Sequence, residues 1–106
     1  MAELLSGTLD LMILRVLNSG PLHGFGIGER ITILSKGVLT VEEGSLYPAL
    51  YRMEAKRWIK AEWGTSGRGN KAKLYLLTKA GRKQLESERK GWDQMAVAIR
   101  DVLRNA

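Results

Sequence analysis

One stretch of this chain, residues 58–77, alternates like a half-buried hairpin, and almost everywhere else apolar residues recur at helical spacing. A lone hairpin cannot bury a core, so helices must supply most of it. Trp58-Ile59-Lys60-Ala61-Glu62-Trp63 forms one arm and Lys73-Leu74-Tyr75-Leu76-Leu77 the other. Between them, residues 64–71 make a glycine-rich loop holding Arg68 and Lys71. The chain is 106 residues long and 44% apolar, enough for one small core and no more.

The helical segments differ in which faces they must cover. Residues 6–18 open with the cap candidates Ser6 and Thr8, then run apolar nearly all round, with Asp10, Arg15 and Asn18 as the polar exceptions. Such a helix needs cover on more than one side, from another element or a second subunit. Ser19-Gly20-Pro21 ends it. Residues 23–34 place Ile27, Ile31 and Leu34 on one side, while Gly24, Gly26 and Gly28 imply close backbone approach to a neighbouring helix. His23 reads either as a structural cap or as a phosphate contact. Ser35-Lys36-Gly37 turns the chain, and Val38-Leu39-Thr40-Val41 reads as a short extended piece.

Residues 43–56 form a helix with two unlike faces. Leu46, Ala49, Leu50 and Met53 gather toward a core; Tyr47, Pro48, Tyr51, Arg52 and Ala55 gather opposite. Ser45 reads as the N-cap, with Pro48 tolerated in the first turn. Thr78 caps a final helix reaching to about residue 103, roughly 38 Å long. Leu85, Trp92, Ala96, Ile99 and Leu103 form a narrow stripe along it, the spacing of helix-on-helix packing. A helix that overhangs so small a domain is expected to pack against a second copy of itself.

Charge narrows the function. Residues 52–90 carry 12 Lys/Arg against 4 Asp/Glu, while residues 1–51 carry 3 against 5. A localised basic block points to a polyanion, most often nucleic acid. With no cysteine, one histidine and no phosphate-cradling glycine motif, the chain offers no disulfide, no metal site, no cofactor site and no catalytic constellation. Met1-Ala2-Glu3 lacks the basic start of a signal peptide, and the longest apolar run, residues 95–99, is too short to span a bilayer. A soluble cytoplasmic protein, not an enzyme and without a membrane partner, is the expectation.

The order helix, helix, extended piece, helix, hairpin, long helix is that of a mostly α (α+β) winged helix-turn-helix. Residues 1–78 would be the DNA-binding domain and 79–106 a dimerisation helix within the same compact unit. Four runs resemble the PadR family of bacterial transcriptional regulators: Leu5-Ser6-Gly7-Thr8-Leu9-Asp10-Leu11, Gly20-Pro21-Leu22-His23-Gly24-Phe25-Gly26-Ile27, Glu43-Gly44-Ser45-Leu46-Tyr47-Pro48-Ala49-Leu50 and Leu77-Thr78-Lys79-Ala80-Gly81. The length is similar to the short subgroup with a single C-terminal helix. The resemblance implies a third helix in the major groove, a hairpin tip along the backbone, a two-fold dimer and, in most members, repression relieved by a ligand. It also implies that Trp92 matches a tryptophan lining a pore at the dimer centre of multidrug-binding members. The chain departs from the family in an arginine-poor wing and in Phe25, where tyrosine is usual.

The expectation is therefore a homodimeric repressor on an inverted-repeat DNA operator. Tyr47, Pro48, Tyr51 and Arg52 would face base edges and nearby phosphates; His23, Lys36, Ser45, Arg68, Asn70, Lys71 and Lys73 would position the phosphate backbone. Leu85, Trp92, Ala96, Ile99 and Leu103 would form the dimer interface. A second reading is a small-molecule sensor for planar aromatic compounds at the dimer centre, with Trp92 as platform and Leu9, Met12, Met95 and Ala96 as neighbours. Plain dimer packing is the competing role for Trp92. RNA binding fits the charge but not a helix-borne pair of tyrosines.

Overall fold

The computed structural model describes the backbone of residues 2–65, 69 and 71–106, with side chains described from residue 7 onward. Four helices and a small sheet follow in the order α1 (Ala2–Leu17), β1 (Leu22–His23), α2 (Gly24–Leu34), α3 (Glu43–Ala55), β2 (Ile59–Thr65), β3 (Lys71–Leu77) and α4 (Lys79–Asn105). This is the winged helix-turn-helix with a long C-terminal helix. The core gathers where α1, α2, α3 and the hairpin meet: Ile13, Leu14, Ile27, Leu50, Met53 and Ile59 are completely or almost completely buried.

Several boundaries move from the sequence reading. The first helix begins at Ala2, so Ser6 and Thr8 lie inside it and neither is its N-cap. Ala2 to Leu5 are all good helix formers, and nothing among them stops the helix earlier. Residues 38–41 join no sheet. The Leu39 N–H is taken by the Ser35 hydroxyl at 3.0 Å, and the sheet's third position is filled by Leu22 and His23, which pair with Tyr75 and Leu74. A strand needs a free ladder partner as well as β-branched residues.

The third helix also starts differently. Its N-cap is Glu42, so Ser45 is already helical and its N–H bonds to the Glu42 carbonyl at 3.0 Å. Pro48 is interior rather than in the first turn. Its missing N–H leaves the Gly44 carbonyl without an i+4 donor, at an exposed stretch where water can serve it.

Helix ends are built with care. Beyond α3 the Arg57 N–H donates to the Glu54 carbonyl and the Trp58 N–H to Met53, with Arg57 left-handed at φ 63°. That is the Schellman closure with arginine where glycine is usual. Lys36 (φ 56°) closes α2 in the same way, with Gly37 bonding back to Thr32. At the start of α4 the Thr78 hydroxyl accepts from the Gly81 N–H at 3.0 Å, as the sequence suggested. Gly81 is held for space: a Cβ there would run into the Trp58 carbonyl.

The hairpin is longer than expected. Strands β2 and β3 pair antiparallel from Ile59↔Leu77 out to Thr65↔Lys71. Helix α4 buries Gly81 and Leu85 in the domain and then leaves it, every residue from 89 to 106 except Ala96 being exposed. The molecule is accordingly drawn out to 56 × 29 × 22 Å. Among the described residues, no helix is long and apolar enough to cross a membrane.

Candidate nucleic-acid interface

Helix α3 seats its Leu46, Ala49, Leu50 and Met53 side in the core, as its spacing requires. The side farthest from the core carries Gly44, Pro48, Tyr51 and Ala55, all exposed. Three of these are small or compact, so Tyr51, 58% exposed, is the side chain that projects from the face.

Its neighbours on the helix are held by other elements. Tyr47 is half-buried, with its ring packed over Gly24 at the start of α2. A Cβ on Gly24 would come within 2.8 Å of the Tyr47 ring, a close approach of the kind the glycines of α2 imply, whereas at Gly26 and Gly28 a Cβ would meet its nearest neighbours only at 3.7 Å. Tyr47 and Tyr51 lie 6.4 Å apart, centroid to centroid, in a tilted pair. Arg52 is drawn to the other side: its Nη2 donates to Asp10 Oδ1 of α1 at 2.6 Å. Asp10 is only 13% exposed, and a carboxylate that deep on an apolar helix needs a partner. Its isolation in the apolar run 9–17 was the signal in the sequence.

On the wing, Lys73 is tied back to α3. Its Nζ lies 3.5 Å from Glu54 and stands over the rings of Tyr51 and Tyr75, at 5.6 and 5.3 Å. Burial opposes the charged Lys73, but the facing Tyr75 and Glu54 outweigh it and raise its pKa. Burial raises the Tyr75 phenol, with the Lys73 ammonium pulling the other way.

The remaining backbone-contact candidates separate. Lys36 and Lys71 are exposed, at the turn after α2 and near the hairpin tip; Ser45 is exposed toward a groove shared with α1. His23 is half-buried and stands at the N-cap position of α2, as one of its two readings had it, but its side chain makes no cap bond, and its buried Nδ1 has no partner among the described residues. Arg68 and Asn70 lie outside the described residues. Trp63, on the hairpin, is 73% exposed and was not singled out as a contact from the sequence; such exposure is visible only once the sheet register is known.

The long helix leaves a second unfinished surface. Leu85, read from the sequence as part of a dimer interface, belongs to the core of its own chain, and Leu34, on the same side of α2 as Ile27 and Ile31, is exposed. From Trp92 onward the stripe is open: Trp92 is 45% exposed, Ile99 46% and Leu103 78%, with Met95 and Val102 beside them. Trp92 lines a groove of about 660 Å³ with Leu9 and Met12, and an adjoining one of about 300 Å³ with Met95. Ala96 lines neither.

Known proteins share this architecture. A protein of Lysinibacillus sphaericus named Uncharacterized protein X is 29% identical, over 92% of this chain and 90% of its own. The structure of a transcriptional regulator from Clostridium thermocellum superposes with a TM-score of 0.85 at 25% identity, covering 95% of both chains. That of a PadR-like transcriptional regulator from Bacillus cereus gives 0.82 at 27% identity, over 98% of this chain and 99% of the other. The sequence profile described as the transcriptional regulator PadR-like family matches residues 13–87, from the buried face of α1 through the first turns of α4. With the exposed tyrosine of α3 and the wing beside it, these matches identify the chain as a member of the PadR-like family, DNA-binding transcriptional regulators and not enzymes.

Proposed function

We propose that this regulator is a homodimeric repressor in the cytoplasm, recognising an inverted-repeat operator with one α3 helix per half-site. The observation that carries the reading is the outer face of α3, where small residues clear the way for Tyr51. Tyr51 and Pro48 make direct base contacts, and Tyr47 adds its hydroxyl edge. Lys36, Lys71, Arg68, Asn70 and Ser45 serve the phosphates. Arg52 reaches a base only by leaving Asp10, and Lys73 reaches a phosphate only by leaving Glu54. Both are therefore braces first, fixing the angle of α3 on α1 and of the wing on α3.

The open stripe on α4 supports dimerisation. Trp92, Ala96, Ile99 and Leu103 recur at coiled-coil spacing, flanked by exposed Met95 and Val102, and a matching stripe on a second copy is their natural cover. The two recognition helices would then lie about one DNA turn apart, roughly 34 Å. Binding of wild-type and Tyr51→Ala protein to an inverted-repeat duplex and a shuffled one tests the reading; a loss confined to the repeat is expected.

A second reading, a small-molecule sensor, is favoured by the grooves around Trp92. It is compatible with the first. A planar aromatic ligand that binds the free dimer better than the DNA-bound one must release DNA, by linkage. Tryptophan quenching by such compounds, lost in Trp92→Ala, is the expected result.

A further inference from the structure

The hairpin changes character along the face it turns toward α3. With a period of two, Ile59, Ala61, Trp63 and Thr65 of β2 share that face with Leu77, Tyr75, Lys73 and Lys71, each opposite its partner in the register. The first rungs are core: Ile59 and Tyr75 are buried. The outer rungs are Trp63 with Lys73, then Thr65 with Lys71. Lys60 and Glu62, which pair at 3.6 Å, lie on the other face. The acid nearest the inner face, Glu54, is answered by Lys73.

An indole this exposed, opposite Lys73 in the register and one rung from Lys71, with Lys73 standing over the Tyr51 ring, has the chemistry of a nucleic-acid contact. We propose that Trp63 lays its ring on the deoxyribose wall of the operator beside the bases approached by Tyr51, donating its indole N–H to a phosphate. The contact rests on the DNA-binding reading and extends it: the wing of this chain holds DNA by apolar contact where it is poor in arginine. Being uncharged, Trp63 strengthens binding to every sequence without adding to its salt dependence.

The test uses the full chain and a labelled mixed-sequence duplex, following anisotropy and intrinsic fluorescence together. Trp63→Ala is expected to bind about tenfold more weakly, in the range of aromatic contacts to nucleic acid. Its salt slope and melting temperature should stay unchanged, and Trp63→Phe should recover most of the affinity. Bound DNA should shield wild-type tryptophan emission from acrylamide, and the shielding should vanish in Trp63→Phe. Unchanged affinity in Trp63→Ala, unchanged quenching on binding, or a loss that tracks a lowered melting temperature overturns the contact and leaves DNA binding standing. A wild-type protein that binds no duplex overturns both.

Discussion

At the level of single residues, the site is set by which side chains are already occupied. Arg52 and Asp10 join α3 to α1 across 42 positions of sequence. Asp10→Ala and Arg52→Ala should each lose about 1 kcal/mol of stability, with the double variant losing less than the sum; denaturant titration of all four proteins measures the coupling. Full additivity would reduce the pair to an incidental surface contact. The Lys73–Tyr75 pair makes a different prediction. Both pKa values are raised in the folded protein, so both groups hold protons that the unfolded chain releases sooner. Their contribution is present below about pH 10, the ordinary range for tyrosine and lysine, and is lost as pH rises through the folded values. Unfolding free energy should fall above that pH, and fall less in Tyr75→Phe. Of these residues only the types were legible beforehand. Arg52 and Lys73 both looked like free cations, because a helical wheel gives a direction but not the carboxylate another helix places there.

Among the elements, the hairpin and α4 meet where space is shortest. Gly81 lies so close to the Trp58 carbonyl that Gly81→Ala must push backbone against backbone. It should cost about 3 kcal/mol or more, and on a domain this size lower the melting temperature by more than ~10 °C. Gly91, with nothing near its missing Cβ, is the counterpart. Gly91→Ala should stabilise α4 by up to about 1 kcal/mol. Thermal melts of the two variants read both effects. The helices and the hairpin were legible from period and capping: Thr78, the glycine-proline stop and the apolar faces of α2 and α3 all predicted elements that exist. What misled were local signals without a tertiary partner. Residues 38–41 have strand composition but pair with no strand, the Leu39 N–H being held by Ser35; Ser45 is a good cap residue one turn too late, and Leu85 continues the α4 stripe yet ends in the core of its own chain.

For the molecule as a whole, function depends on what the single chain leaves uncovered. One surface is apolar, along the free half of α4; the other is aromatic and basic, across α3 and the wing. Light scattering should give twice the 11.8 kDa chain mass, and Ile99→Glu should return it to one chain and weaken operator binding together. The most direct measurement is the affinity of wild-type and Tyr51→Ala protein, at one defined salt, for any inverted repeat that a search of the DNA upstream of the protein's own gene finds and for a shuffled duplex. A preference for the repeat of about 1,000-fold or more is expected in the wild type, shrinking at least tenfold in Tyr51→Ala through loss on the repeat alone. Equal affinity of the wild type for both duplexes, or equal losses on both in the variant, would contradict α3 as the reading surface.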